Sequence, residues 1–470
     1  MLKFLKYTGI VLGSILFIAF VLLATGVGDA PEPDYTPIVD PVVADEDNGY
    51  VLFSKSLDVL LSESPVTEGK IKTRIDAIEP AKLEAFYSTL QIALAKPYWV
   101  KPKVELLKQK GYIQEEISTH IILERQGELA LAHQDLNSLS NALEMLQRFA
   151  EVSGQNCQSH LDVVISLNAL DRCFSLICAA THDQQLSKEW IEALALYAVI
   201  PSSIEASVKR GYYKQYELLS AHLDKCETNL LKWNQITEEK EVKEGYWKSL
   251  PYFLQRNHSK QLVLDTIRWE EPQLNRYFSQ ISPSDTYWEE RFASKIHIPY
   301  LSGIFRYFVL PNMTGKKMAT VNHVLTHSDL TRLIEMKTKK EAAQLTLQLE
   351  RYQLEHQELP ESLEDLQAFT NQPLAIDWFN GESFHYSKEQ QCFWSVGTDL
   401  NNNQGRLKVV GYGSHRDTDV VFNLRSQAVI DAEEEARRAA ERAAREEKYS
   451  QRRKSRNIVP KLRTTSDITE

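Results

Sequence analysis

Hydrophobic and polar positions divide the chain into four kinds of pattern. Residues 7–28, YTGIVLGSILFIAFVLLATGVG, carry no charge, and about 20 such residues in a helix cross a hydrocarbon core of about 30 Å. From about residue 50 to 335 the apolar positions recur at helical spacing. QSHLDVVISLNALDRCFSLICAA (158–180) is apolar almost all round, which predicts a helix enclosed by others. Ser187 predicts the N-cap of the next helix and Pro201 its stop. Residues 328–357 predict one long helix with Leu345, Leu349 and Tyr352 on one stripe, and a short helix ending near Phe369 follows. Beyond it FHYS, CFWSV, LKVVGY and VVFNL read as strands between polar, glycine-bearing turns. The segment 429–456 is alanine and charge with Glu433–Arg437, Glu434–Arg438 and Glu441–Arg445 at i,i+4 spacing. It lacks an apolar seam, which predicts a solvated, partly helical tail with a disordered end.

The expected fold class is mainly α: an N-terminal transmembrane helix, a large α-helical domain, and a small C-terminal α+β module with antiparallel strands. The expected boundaries are 1–28 for the cytoplasmic terminus and anchor, 29–48 for an acidic, proline-rich linker, and 49–327 for the helical domain. The α+β module takes 328–425 and the charged tail 426–470.

Charge orients this arrangement. Lys3 and Lys6 precede the apolar run, Asp29, Glu32 and Asp34 follow it, and no lysine or arginine occurs between Lys6 and Lys55. Cations mark the cytoplasmic side, so the bulk of the chain is expected outside. The run exceeds the apolar core of a signal peptide, about 7–15 residues, and no A-x-A cleavage site follows it, so an uncleaved single-pass anchor is expected. The linker DAPEPDYTPIVDPVVADEDN has four prolines and seven acids, a composition expected to form an extended, solvated spacer.

Over 470 residues the hydrophobic share is 43% and the charged share 25%, as in folded proteins. A net charge of −10 excludes a general nucleic-acid surface, which needs clustered cations. The five cysteines form no CxxC and are expected to be small buried hydrophobes. The alternative is a bridge from Cys157 or Cys226 to Cys173 or Cys178.

Few positions suggest chemistry. No GxSxG occurs, and TGKK (314–317) lacks the glycine that a phosphate-cradling loop needs. Acidic pairs such as Glu115–Glu116 and Glu289–Glu290 read as solvated helix faces. HVLTH places His323 and His327 one helical turn apart, a separation that suits two ligands on one metal. Val324 stands where a zinc protease needs glutamate and no third ligand is evident, so ordinary helix-end histidines are expected. In FWSVGTDLNNNQG (393–405), Asp399, Asn401 and Asn403 alternate as the first ligands of an EF-hand loop do. Gln404 and Val410 then occupy the places of the turn glycine and the bidentate glutamate, so an EF-hand is not expected.

From about 339 to 424 the chain resembles the globular domain of the major pseudopilins of type II secretion. The resemblance rests on Tyr352, Pro360, Leu363, Leu366, Asp377, Gly381, Phe384 and Tyr386, then Ser395, Gly397, Asp399, Asp417 and Asp419. Trp378 stands where the family pattern has proline, and the prepilin-peptidase site is lacking. The chain as a whole is similar to large bacterial envelope proteins that carry a helical body before such a module. The resemblance implies a calcium ion at Asp399, Asp417 and Asp419, with Asn401 and Asn403 of the alternating run as the further candidate ligands; the alternative is a metal-free hairpin fixed by asparagine and glycine turns. The resemblance also implies a bacterial cytoplasmic-membrane location with the bulk of the chain periplasmic, and a link to secretion or pilus systems. The function expected is a non-enzymatic scaffold for a protein partner in the envelope; the alternative is a membrane-tethered periplasmic hydrolase with a site built from distant residues.

Overall fold

The computed structural model describes residues 30–62, 78–101, 109–181, 186–224, 230–232, 251–253, 255–281, 313–405 and 419–424, with six positions between 435 and 449. The expected transmembrane helix, the LKVVGY strand, Asp417, Cys226 and nearly all of the charged tail lie outside these residues.

Helices dominate, as expected. The body comprises α1 (Gly49–Ser62), α2 (Pro80–Leu94), α3 (Gln109–Ala132), α4 (Leu136–Gln155), α5 (His160–Ala180), α6 (Lys188–Ala195), α7 (Ile204–Asp224) and α8 (Arg256–Glu270). The long α9 (Met313–His356) and short α10 (Leu363–Thr370) follow. A two-stranded antiparallel ladder joins β1 (Leu230–Lys232) to β2 (Pro251–Phe253).

The uniformly apolar segment at 158–180 forms α5, and α3, α4, α7 and α9 pack around it. By length and composition α5 could cross a membrane, yet 61% of its most apolar window is buried inside the protein. Enclosure by other helices explains its lack of a polar face. Ser159 and Asp162 close its first turn as a capping box. Ser187 caps α6 by accepting from the Trp190 amide at 3.4 Å, but α6 ends at Ala195, well short of Pro201.

Aromatic rings fill one end of the core, with Phe53 5.1 Å from Trp99 and Trp99 edge-on to Phe149 at 5.9 Å. Beside them Lys101 is buried with its ammonium 2.6 Å from both Glu116 and Asp162. Burial alone would push that ammonium down; the two carboxylates outweigh it and hold the Lys101 pKa above the usual range. Glu116 is therefore not on a solvated face. Its partner lies outside its own helix, where spacing along the sequence gives no sign of it.

Helix α9 serves two cores. Leu330, Leu333 and Ile334 belong to the body, whereas Ala342, Leu345 and Leu349 pack with Leu363, Leu366, Phe384 and Phe393 in a second, smaller core. The expected boundary at 327/328 thus falls inside a continuous helix that begins at Met313. Strands β3 (His385–Ser387), β4 (Cys392–Ser395) and β5 (Val420–Asn423) form the expected antiparallel sheet, with Phe393 opposite both Tyr386 and Phe422. The stripe of Leu345, Leu349 and Tyr352 faces this small core, as its spacing predicts.

The small module is also fastened sideways. The amides of Phe278 and Ser279 donate to the carbonyls of Trp378 and Phe379 at 3.0 and 2.8 Å. The Trp378 indole lies 5.2 Å from the Tyr277 ring, and the Lys337 ammonium stands 4.4 Å above it. Trp378, the departure from the pseudopilin pattern, is thus part of the docking face. Gly381 adopts φ +83°, and a Cβ there would come within 2.8 Å of the Tyr277 ring.

Cys157, Cys173 and Cys178 are free thiols. Burial pushes the Cys178 thiol up to about 11, so it stays protonated and inert at neutral pH.

Residues 30–44 form no regular element, in keeping with their prolines. They do not stand clear of the body, however. Their polar groups are taken up by cations and amides of α7 and α8, because Arg210 and Lys214, one turn apart, face the acids of this segment.

Candidate functional site

One group of ligand-type side chains converges among the described residues. Glu270 ends α8, and His323 and His327 lie one turn apart in the first half of α9. One ligand atom from each lies within 4.8 Å of the other two. His323 Nδ1 is 2.8 Å and His327 Nδ1 3.8 Å from Glu270 Oε1, and the two imidazole centroids are 5.4 Å apart.

The group is largely shut off from solvent. Glu270 is fully buried and His323 nearly so, while His327 keeps about a quarter of its side chain exposed. Although His323 Nδ1 is within hydrogen-bonding distance of Glu270, neither Glu270 oxygen accepts a hydrogen bond of ordinary geometry among the described residues. Such a buried carboxylate is costly unless a cation compensates it. The location sharpens the cost, since the C-terminus of a helix is its negative pole.

Neighbouring groups respond to this charge. Burial pushes Asp329 well above the usual carboxylate range; Arg332 opposes the rise and Glu270 adds to it. The Tyr212 phenol is raised by burial, then by Glu270 and Asp329. Its hydroxyl donates to the Thr326 carbonyl at 2.9 Å and so fixes the α9 backbone between the two histidines. The Trp269 ring meets His323 edge-on at 6.1 Å.

HVLTH therefore has the third group that its sequence context lacks. Glu270 was not legible because it lies outside α9, in the acidic pair Glu270–Glu271 before Pro272. The two members of that pair diverge: Glu271 accepts from the Tyr213 hydroxyl at 2.7 Å, while Glu270 turns inward.

The residues expected to hold calcium are partly brought together. Asp399, Asn401 and Asn403 lie just after β4 and meet Asp419, just before β5, and Asp417 is outside the described residues. Asp419 is buried, with Oδ1 accepting from the Asn403 amide at 3.2 Å and Oδ2 from the Gly405 amide at 2.9 Å. Asp399 Oδ1 takes the Asn401 amide at 3.0 Å, and its Oδ2 takes Asn403 Nδ2 at 3.3 Å. Each carboxylate oxygen thus already faces an N–H donor, the arrangement of a loop tied by its own amides. Asp377 works similarly, accepting from the amides of Phe379 and Val396 at 3.0 Å each and joining the turn before β3 to the residue that follows β4.

A cleft of about 390 Å³ opens between α2, α3 and α4, lined by Glu84, Tyr87, Gln126, Glu144 and Arg148 among others. Arg148 is held at its edge by the Leu94 carbonyl at 3.2 Å and by Glu151. No histidine or cysteine lines it.

No known family model, no curated protein and no solved structure matches the chain. What the chain does has to be argued from its own residues.

Proposed function

We propose that the chain is a single-pass, membrane-anchored envelope protein that acts as a non-enzymatic scaffold, presenting its helical body to a protein partner at the outer face of the cytoplasmic membrane. The anchor in this reading is the uncharged stretch 7–28. The observation that carries the scaffold geometry is the clamp on the segment that follows it.

That clamp begins at Ala30, whose carbonyl accepts from Asn257 Nδ2 at 2.9 Å. The Lys260 ammonium, itself buried, lies 2.7 Å from Glu32 and 2.6 Å from Asp224. Arg268 donates to the Asp34 carbonyl at 2.9 Å, and the Tyr35 hydroxyl donates to Glu217 at 2.8 Å. Lys214 then binds the Ile38 carbonyl at 2.8 Å and Asp40 at 2.9 Å. Two extended residues span about 7 Å, so the end of α7 and the start of α8 are held close to the end of the anchor. The scaffold is then an outgrowth of the membrane surface rather than a domain at the tip of a free spacer.

The small module fits the same reading. It shares α9 with the body and is fastened through Trp378, so body and module offer one continuous surface. A long helix packed on a three-stranded antiparallel sheet supports the proposed kinship with pseudopilins. The tethered-hydrolase alternative has one observation in its favour, the Glu270–His323–His327 group, because two histidines and a glutamate also serve catalytic zinc sites.

A reporter enzyme active only outside the cytosol, fused after Leu424, tests the scaffold's placement. An active fusion that resists alkaline carbonate extraction is the expected outcome. An inactive fusion, or one released into the soluble fraction, would remove the anchor from the account.

A further inference from the structure

We infer that Glu270, His323 and His327 form a binding site for one divalent transition-metal ion, zinc by donor set, that pins the end of α8 to the first half of α9. The inference does not depend on the scaffold reading.

Three observations carry it together. First, the geometry suits a small ion. Bonds of about 2.0–2.1 Å in a tetrahedral site place ligand atoms about 3.3 Å apart, and the separations of 2.8 and 3.8 Å from Glu270 Oε1 lie on either side of that value. Second, Glu270 is a fully buried carboxylate at the negative pole of α8, and apart from the close approach of His323 Nδ1 at 2.8 Å neither of its oxygens meets a hydrogen-bond donor among the described residues. A cation between it and the imidazoles supplies the missing compensation. Third, the side-chain amide of Asn322, next to His323, is buried with neither its oxygen nor its nitrogen hydrogen-bonded among the described residues. Buried polar atoms without partners call for an explanation, and an ion or its water is one of the few available.

The donor set selects the metal. Two imidazoles and one carboxylate suit zinc, cobalt or nickel, whereas calcium and magnesium take oxygen ligands almost exclusively. The fixed backbone between the histidines, held by the Tyr212 hydroxyl, keeps both rings on one face of α9. The competing arrangement is a metal-free ion pair between Glu270 and a protonated His323.

Titration of the purified full chain in detergent with Zn2+ or Co2+ separates the two, after dialysis against chelator. One equivalent bound, visible d–d bands of tetrahedral cobalt, and a rise in melting temperature with Zn2+ but not Ca2+ are expected. H327A, at the partly exposed ligand, is expected to keep its helical circular dichroism and weaken Zn2+ binding at least about tenfold. E270Q, which keeps the side chain's size, should do the same. Absence of stoichiometric Zn2+ and Co2+ binding by the wild-type chain overturns the inference in favour of the ion pair. Wild-type affinity in H327A and E270Q would place the metal elsewhere and overturn it equally.

Discussion

Glu350 shows how one buried side chain makes folding depend on pH. It lies on α9, 5% exposed, and burial pushes its carboxyl up to about 7 despite a hydrogen bond from the Leu186 amide. The folded chain therefore binds this proton more tightly than the unfolded chain does. Its contribution is fully present below the ordinary carboxylate pKa and is lost as pH rises through about 7, a change of about 3 kcal/mol. E350Q should abolish that loss, so that its stability relative to wild type improves between pH 5 and 8 in urea melts. An unchanged difference across that range would mean that Glu350 is ionised in the fold. Residues of this kind were not legible in the sequence. Glu116, Glu270 and Glu350 all look like members of solvated faces when only their own helix is considered. Their burial depends on Lys101, on the histidines of α9 and on the segment at Leu186, none of which lies within one helical turn.

At the scale of elements much more could be read in advance. The enclosure of α5, the cap at Ser187 and the stripe of Leu345, Leu349 and Tyr352 follow from local periodicity and capping chemistry. Three of the four expected strands fall where β3, β4 and β5 lie, and the fourth is outside the described residues. The linker is the instructive failure. Proline and acid give an extended backbone, which the sequence signals, but whether the acids face water depends on cations 170 to 228 residues away. Arg210, Lys214 and Lys260 are those cations, and Lys214 and Lys260 are themselves buried. The double substitution E32Q/D40N removes charge from both ends of the clamp while preserving size. Limited proteolysis of the full chain should then cut within 29–48 at least about tenfold faster, the buried Asp40 contacts carrying about 1.5–3 kcal/mol and the solvent-screened Glu32 contact under about 1 kcal/mol. Equal cutting of wild type and variant would show that the segment is released in both.

On the scale of the whole molecule, the described residues make a helical body, a small sheet module sharing its longest helix, and a strap that ties the body to whatever precedes residue 30. The scaffold reading turns this into a statement about distance from the bilayer. The most direct measurement uses the full chain reconstituted into vesicles with lipid-headgroup acceptor dyes. A fluorescent amino acid is placed either at Ala221, exposed near the end of α7, or at Gln367, exposed on α10. Strong energy transfer from position 221, weak transfer from 367, and loss of the difference in E32Q/D40N are the results expected of a body clamped to the membrane. Equal transfer from both positions in the wild-type chain, or none from either, would contradict it.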